Sequence, residues 1–395
     1  MNCNSVYEPR EDSTLLELYV RRYAKGSVLD VGTGSGIQAI TAAHNSSVDS
    51  VIAVDIQKSA IGYCKKCIKN RKIVFLVSDL FSAFKKNQKF KNKKFDAVIF
   101  NPPYLPSELK VKDLTIEGGK KGYEVIERFF SDVNDFLKAD GIVLIVFSSL
   151  TKKEKVDGFI QNNLLEFELL EKQHYFFEDL HAYLVKKSDM LKKLENKKIK
   201  NVHYFTKGKR GLIYTGDYND KKIIIKIKNP KSEAVARIEN EIKHLKLLNR
   251  KGIGPRLLFF GKDFIVYEFI EGDFILDFLR KSNKKIILKA IKNIFGQLFM
   301  MDKLKIDKEE MSHPTKHIII NRNNRPILID FERSHYTLKP SNITQFCDFL
   351  TSNVISKILN EKKIKNKKKK IIELSKKYKN NINENNLNEI INEIK

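Results

Sequence analysis

The tetrapeptide Asn101-Pro102-Pro103-Tyr104 combines groups suited to holding a planar NH2 group. The nitrogen of an amide or of a nucleobase amine is a poor nucleophile, because its lone pair is delocalised into a carbonyl or a ring. The side-chain oxygen of Asn101 can accept one N–H and the backbone carbonyl of Pro102 the other. Two such bonds fix the group, aim its lone pair at an incoming methyl carbon and stabilise the charge that develops. Pro102 and Pro103 carry no N–H, so the loop offers acceptors without competing donors, and Tyr104 can stack on the planar group.

A second constellation lies upstream. The segment DVGTGSG, Asp30 to Gly36, follows an apolar run and precedes a helical one. Gly32 and Gly34 remove side chains where a backbone must pass close to a cofactor. Asp55 ends the next apolar run, where a carboxylate can accept both hydroxyls of a ribose. Nicotinamide enzymes use the same device, but GxGxG spacing departs from their GxGxxG. Asp79, in VSDLF, is placed to meet an adenine amine.

The elements that must position these residues are short. Ser27–Val31, Val51–Asp55, Ile73–Val77, Phe95–Phe100 and Gly141–Phe147 read as buried strands, with helical stretches such as 58–70 and 122–138 between them. That alternation predicts an α/β fold with a parallel sheet covered by helices on both faces. Segments 165–173 and 181–187 add an antiparallel hairpin at the sheet edge. Around 187–200 the chain turns charged, which places a linker at 188–200.

On these residues the segment 1–187 resembles the HemK-related methyltransferases, in particular the short archaeal and eukaryotic branch that modifies class I release factors. VYEPREDSTLL resembles that branch's opening signature, and EGGKKGYEVIERF (117–129) its glycine-rich stretch after NPPY. The resemblance implies a seven-stranded, Rossmann-like class I fold and S-adenosylmethionine as cofactor. It implies that Ser13, Asp30, Gly32, Asp55, Asp79, Leu80 and Asn101 contact the cofactor or its neighbourhood. A plain helix N-cap is the competing reading of Ser13. The implied acceptor is the glutamine amide of a Gly-Gly-Gln tripeptide in a class I peptide chain release factor, and a small zinc-binding activator subunit is an implied partner. The residues alone leave an adenine or guanine amine of RNA or DNA open, since it presents the same planar NH2.

The second half carries a different pattern. TKGKRGLIYTGDY has Gly208, Gly211 and Gly216 in a strand–turn–strand, and KKIIIKIK puts Lys226 in a strand. Glu241, with Glu239 as fallback, is the candidate ion-pair partner on the following helix, VYEFIEG a hinge, and Asp330 in ILIDFE a magnesium ligand. In this order the pieces resemble the archaeal kinase-like family related to the RIO group, which implies an α+β protein-kinase-like domain over 201–354 that binds ATP with magnesium. The catalytic-loop Asp and Asn of kinases are missing from KEEMSHPTKHIII (308–320). Glu310 is the candidate base and Lys316 a candidate for neutralising phosphate; His313 and His317, four apart, read as ordinary loop residues rather than a metal pair. A non-catalytic, nucleotide-binding regulatory module is the alternative.

Composition sets the outer limits. At 395 residues and 42% hydrophobic content the chain has material for two cores. Cys3, Cys64, Cys67 and Cys347 are too scattered for a disulfide framework, and the Cys64/Cys67 pair sits in a helical segment without a second pair. The charge of +26 and runs such as KKIKNKKKK at 362–370 point to RNA or ribosome contact, or to a lysine-rich solvated surface. Residues 355–395 read as a basic amphipathic helix followed by a frayed tail. No stretch reaches the roughly 18–20 apolar residues of a membrane span, and no apolar signal core opens the chain, so a soluble, cytoplasmic protein is expected.

Overall fold

A computed structural model describes residues 9–90, 93–104, 119–207, 211–228 and 237–395. Two compact units result, one of residues 1–204 with 216–218, the other of 205–215 with 219–395.

The first unit opens with α1 (Glu11–Tyr23), β1 (Gly26–Val31), α2 (Ile37–His44), β2 (Val48–Asp55), α3 (Lys58–Cys67) and β3 (Ile73–Val77). It continues through α4 (Ser82–Lys86), β4 (Phe95–Phe100), α5 (Glu124–Asp132), β5 (Leu137–Ser148) and α6 (Lys153–Asn162). The antiparallel strands β6 (Leu165–His174) and β7 (Asp179–Lys187) close the sheet. Its order is β3-β2-β1-β4-β5-β7-β6. The interior strands read as unbroken apolar runs because helices bury both faces: Val28, Leu29, Ala97, Val98 and Ile99 are all fully buried.

That order explains the location of the site. The chain winds outward from β1 to β3, then returns to β4 on the other side of β1. The carboxyl ends of β1 and β4 therefore lie side by side, with Val31 opposite Phe100, at the point where the winding reverses. Residues about 70 positions apart in sequence leave the sheet together.

The expected linker is not one. Ser188 caps α7 (Asp189–Asn196), its hydroxyl accepting from the Leu191 amide, and Leu191 and Leu194 are buried. Its opposite face is solvated, which gave the segment its charged texture.

A five-stranded sheet comes next along the chain, ordered β11-β12-β10-β9-β8, whose strands are β8 (Lys200–Lys207), β9 (Gly211–Tyr218), β10 (Lys221–Lys228), β11 (Leu257–Phe260) and β12 (Phe264–Glu268). Between β10 and β11 runs α8 (Arg237–Asn249). Then come β13 (Gly272–Phe274), α9 (Ile275–Lys281), α10 (Lys284–Lys303), β14 (Ile306–Asp307), β15 (Ile318–Asn321), β16 (Pro326–Leu328) and β17 (His335–Tyr336). Four helices end the chain: α11 (Asn342–Thr351), α12 (Asn353–Glu361), α13 (Lys368–Asn380) and α14 (Glu384–Asn392).

The frayed tail is thereby corrected. Ile364, Ile371, Tyr378, Leu387, Ile390 and Ile394 are buried in the same core as α10 and α11. The Tyr378 hydroxyl donates to the buried Asp302 carboxylate at 3.0 Å. Apolar residues at helical spacing fold this segment inward, and the lysines occupy what remains outside. No helix of the described residues is long and apolar enough to cross a membrane.

Candidate functional site

A cavity of about 490 Å³ opens at the carboxyl ends of β1 and β4. Gly32, Gly34, Asp55, Asp79 and Leu80 line one part of it; Ser13, Asn101, Pro102, Pro103 and Tyr104 line another. Of the residues singled out in this half, Asp30 alone lies behind the wall. It is 1% exposed, and its Oδ2 accepts from the Thr33 hydroxyl at 2.6 Å. Burial pushes its carboxyl up to about 7, against the Thr33 bond and in concert with the nearby Asp55 charge. Asp30 ties down the glycine turn from inside.

The turn itself needs glycine. Gly32, Gly34 and Gly36 have φ of 69°, 53° and 87°, in the left-handed region. A Cβ on Gly36 would also stand 2.5 Å from Ile68 Cδ1. The loop is pinned by the Gly34 amide donating to Asp55 Oδ2 at 2.9 Å, while Asp55 Oδ1 accepts from the Gln57 amide at 2.9 Å. Asp79 pairs with Arg128 at 2.6 Å; the two side chains are 42% and 56% exposed, so the pair is weak and the carboxylate is readily given to another donor. Leu80 has φ of 46°, a conformation costly for a branched side chain and held here by the Ser78 hydroxyl donating to its carbonyl.

On the opposite wall, Asn101 leaves β4 with its amide already oriented. Nδ2 donates to Asp12 Oδ2 and to Ser13 Oγ, each at 3.3 Å. A carboxylate only accepts, so the NH2 must face Asp12. The Asn101 Oδ1 is buried and has no hydrogen-bond partner among the described residues. The Tyr104 hydroxyl donates to the same Asp12 oxygen at 3.3 Å. Asp12 thus holds both ends of the NPPY segment, and sequence reasoning missed it; its place beside Ser13 was the one available signal. Ser13 is not the helix cap, which is Arg10, but the third residue of α1. Gln38 was also missed: its amide donates to the Ser13 carbonyl at 2.8 Å and it lines the cavity. Cys64 is buried against the turn, its thiol donating to the Gly34 carbonyl at 3.3 Å, while Cys67 is exposed.

In the second unit, Lys226 on β10 gathers three carboxylates: Glu241 at 2.8 Å, Asp330 at 3.0 Å and Glu332 at 3.2 Å. Burial opposes its charge, but these carboxylates hold its pKa well above the ordinary lysine value. Glu241, not Glu239, is the helix partner. Gly211 packs on this lysine, where a Cβ would meet Lys226 Cγ at 3.6 Å; Gly208 lies outside the described residues. Lys316 is exposed, and a second cation beside Asp330, with Lys226, is the fully buried Lys308, whose Nζ donates to the Asp330 carbonyl at 2.5 Å. Burial brings the Lys308 amine down to about 8. His313 turns to the Ser312 hydroxyl, whereas His317 joins Glu310 and Asp330. Burial lowers the His317 imidazole to about 4, leaving it neutral at pH 7.

The methyltransferase small domain family matches residues 11–177. A putative protein N5-glutamine methyltransferase of Methanocaldococcus jannaschii is 33% identical over 182 residues, which is 44% of this chain and 88% of that one. A release factor glutamine methyltransferase of Koribacter versatilis is 34% identical over 143 residues, covering 33% of this chain and about half, 49%, of that one. Among solved structures, the E. cuniculi Mtq2–Trm112 complex, responsible for methylation of the translation termination factor eRF1, aligns at 26% identity and a TM-score of 0.37, over 47% of this chain and 99% of that one. Through its first unit the chain belongs to the protein N5-glutamine methyltransferase family, and it is an S-adenosylmethionine-dependent methyltransferase.

Proposed function

We propose that the first unit methylates the side-chain amide nitrogen of glutamine, in the Gly-Gly-Gln tripeptide of a class I peptide chain release factor. The observation that carries this reading is the buried, unpartnered Oδ1 of Asn101, whose amide Asp12 has already turned. An oxygen in that state lacks a donor, and a primary amide supplies one. The names of the two sequence relatives point to the same acceptor.

The Gly32–Gly36 turn, Asp55, Asp79 and Leu80 would hold S-adenosylmethionine, which supplies a methyl group on a sulfonium centre. Asn101 Oδ1 accepts one N–H of the substrate amide and the Pro102 carbonyl the other. In the transfer the N–C bond would form as the methyl–sulfur bond breaks and a neutral thioether leaves; the nitrogen becomes positive, both acceptors strengthen with that charge, and one N–H proton then passes to solvent. Asp12 acts by holding Asn101 and Tyr104, so those acceptors need not reorganise. A small zinc-binding activator subunit belongs to the reading too: β3 is an edge strand with Val74 48% and Val77 44% exposed, a surface suited to a partner.

For the second unit the reading is an ATP-binding, protein-kinase-like domain, supported by the Lys226–Glu241 ion pair with Asp330 alongside. Lys226 and Gly211 would face the phosphates, Asp330 the magnesium, and Glu310 stands where a base would be needed. ATP binding by the full chain, abolished by Asp330→Ala, supports it; binding unchanged in that variant refutes it.

The decisive experiment for the first unit is methyl transfer from labelled S-adenosylmethionine to purified release factor and to total RNA, with and without the activator. Label on the Gly-Gly-Gln glutamine supports the reading. Label in RNA instead, to which the charge of +26 would bring the protein, makes a nucleobase amine the acceptor.

A further inference from the structure

Three side chains from two segments of the second unit converge: Glu310 and His317 at opposite ends of the connection between β14 and β15, and Asp330 after β16. His317 Nδ1 lies 3.3 Å from Glu310 Oε2 and 3.9 Å from Asp330 Oδ2, and the three donor atoms fall within 4.8 Å of one another. The two carboxylates divide their oxygens. Glu310 Oε1 faces Arg333 at 3.5 Å and Asp330 Oδ1 faces Lys226 at 3.0 Å, which turns Oε2 and Oδ2 toward the imidazole.

Glu310 Oε2 and His317 Nδ1 are buried and neither has a hydrogen-bond partner, although they are near neighbours. Orphaned buried polar atoms are costly, and here two of them point at one another. A cation between them and Asp330 satisfies all three. Ligands about 2.0–2.2 Å from a first-row ion lie about 3.0–3.4 Å apart, so the His317–Glu310 spacing already fits, while the His317–Asp330 spacing is about half an ångström too long and Asp330 must move inward.

The frame is rigid enough to keep that geometry. The Ile329 amide donates to the His317 carbonyl at 2.9 Å, which stitches the two segments together. Asp330 has φ of 63°, a strained backbone for a side chain of this kind, and Lys308 clamps its carbonyl.

We propose that Glu310, His317 and Asp330 form a protein-built site for one divalent first-row transition ion, of the manganese or zinc class. Magnesium prefers an all-oxygen shell and keeps its waters, whereas an imidazole nitrogen selects the softer ions. Three protein ligands leave positions open, which suit water or phosphate oxygens. The site shares Asp330 and Glu310 with the nucleotide reading but does not depend on it: a Glu310 that holds an ion is a ligand there rather than a base.

The test uses the full-length protein, stripped with chelator and titrated with Mn2+ without nucleotide, followed by electron paramagnetic resonance. One Mn2+ should bind per chain, with a 14N coupling from the imidazole in the spin-echo spectrum. His317→Ala should weaken binding at least about tenfold, since loss of outer-shell partners alone costs about 10–100-fold. His317→Asn, which keeps a donor and comparable bulk, should lose the 14N coupling and shift the preference toward Mg2+. The proposal falls if Mn2+ binds only when ATP is present, if the coupling is absent, or if His317→Asn leaves affinity and metal preference unchanged. Because nucleotide is left out, failure here would not touch the ATP-binding reading, which the Asp330→Ala assay tests separately.

Discussion

The two units handle polar groups in opposite ways. In the first, the sheet delivers two loops to one crevice, and the side chains there are tied to neighbours on one side only, leaving Asn101 Oδ1 for a ligand. In the second, the charges are spent on one another: Lys226 answers three carboxylates, and beside them Glu310 Oε2 and His317 Nδ1 lack a hydrogen-bond partner among the described residues. The first arrangement suits neutral, planar groups that can donate hydrogen bonds. The second is an electrostatic cluster whose removal by parts should cost stability before it costs anything else.

The largest effect should come from breaking that cluster. Lys226→Met removes the ammonium that Glu241, Asp330 and Glu332 share, and uncompensated buried charge typically costs about 3–5 kcal/mol. Hydrogen exchange should show lost protection in β10 and α8; unchanged protection would mean that the cluster is not structural.

A smaller effect is expected where one positioning residue is altered in the first unit. Asp12→Asn keeps the shape but can present an NH2 to the NH2 of Asn101, so the Asn101 amide loses its fixed orientation. We expect kcat to fall about tenfold, equivalent to about 1.4 kcal/mol, with little change in cofactor affinity. Equal loss in cofactor binding would make Asp12 a binding residue instead.

The mildest test is of pH. Asp30 is raised by burial from 3.8 to about 7, so between those values the unfolded chain releases this proton and the folded chain keeps it. The unfolded state then binds fewer protons, and stability falls as pH rises, by up to about 1.4 kcal/mol per pH unit from this one group. The contribution is fully present below the unfolded value and lost through about pH 7. Asp30→Asn should flatten the slope in denaturant titrations from about pH 4 to about pH 7, the window between the unfolded and folded values. An unchanged slope would show that Asp30 is not the group responsible.

How much of this the sequence could show depends on what each feature needs. The five parallel strands were legible because burial on both faces leaves unbroken apolar runs, and Asn101 and Asp55 were legible because their chemistry is carried by position after a strand. Asp12 was not: its role depends on α1 bringing a residue 89 positions upstream against Asn101, which follows from packing alone. Likewise α7 was hidden because two buried leucines are outnumbered by charges on its wet face. Lys308 and His317 share the connection between β14 and β15 and meet Asp330 only in the folded unit, so no local spacing announces them, and Lys316, in the same connection, is exposed.

The central claim is that Asn101 Oδ1 receives the substrate's NH2. Methyl transfer to a Gly-Gly-Gln release factor should be compared for the natural protein and Asn101→Ala, alongside S-adenosylmethionine affinity in the same preparations. The account predicts a fall in kcat of about 100-fold or more, as for removal of one preorganised acceptor or donor, with cofactor Kd changed no more than about twofold. Full methylation by Asn101→Ala would contradict it.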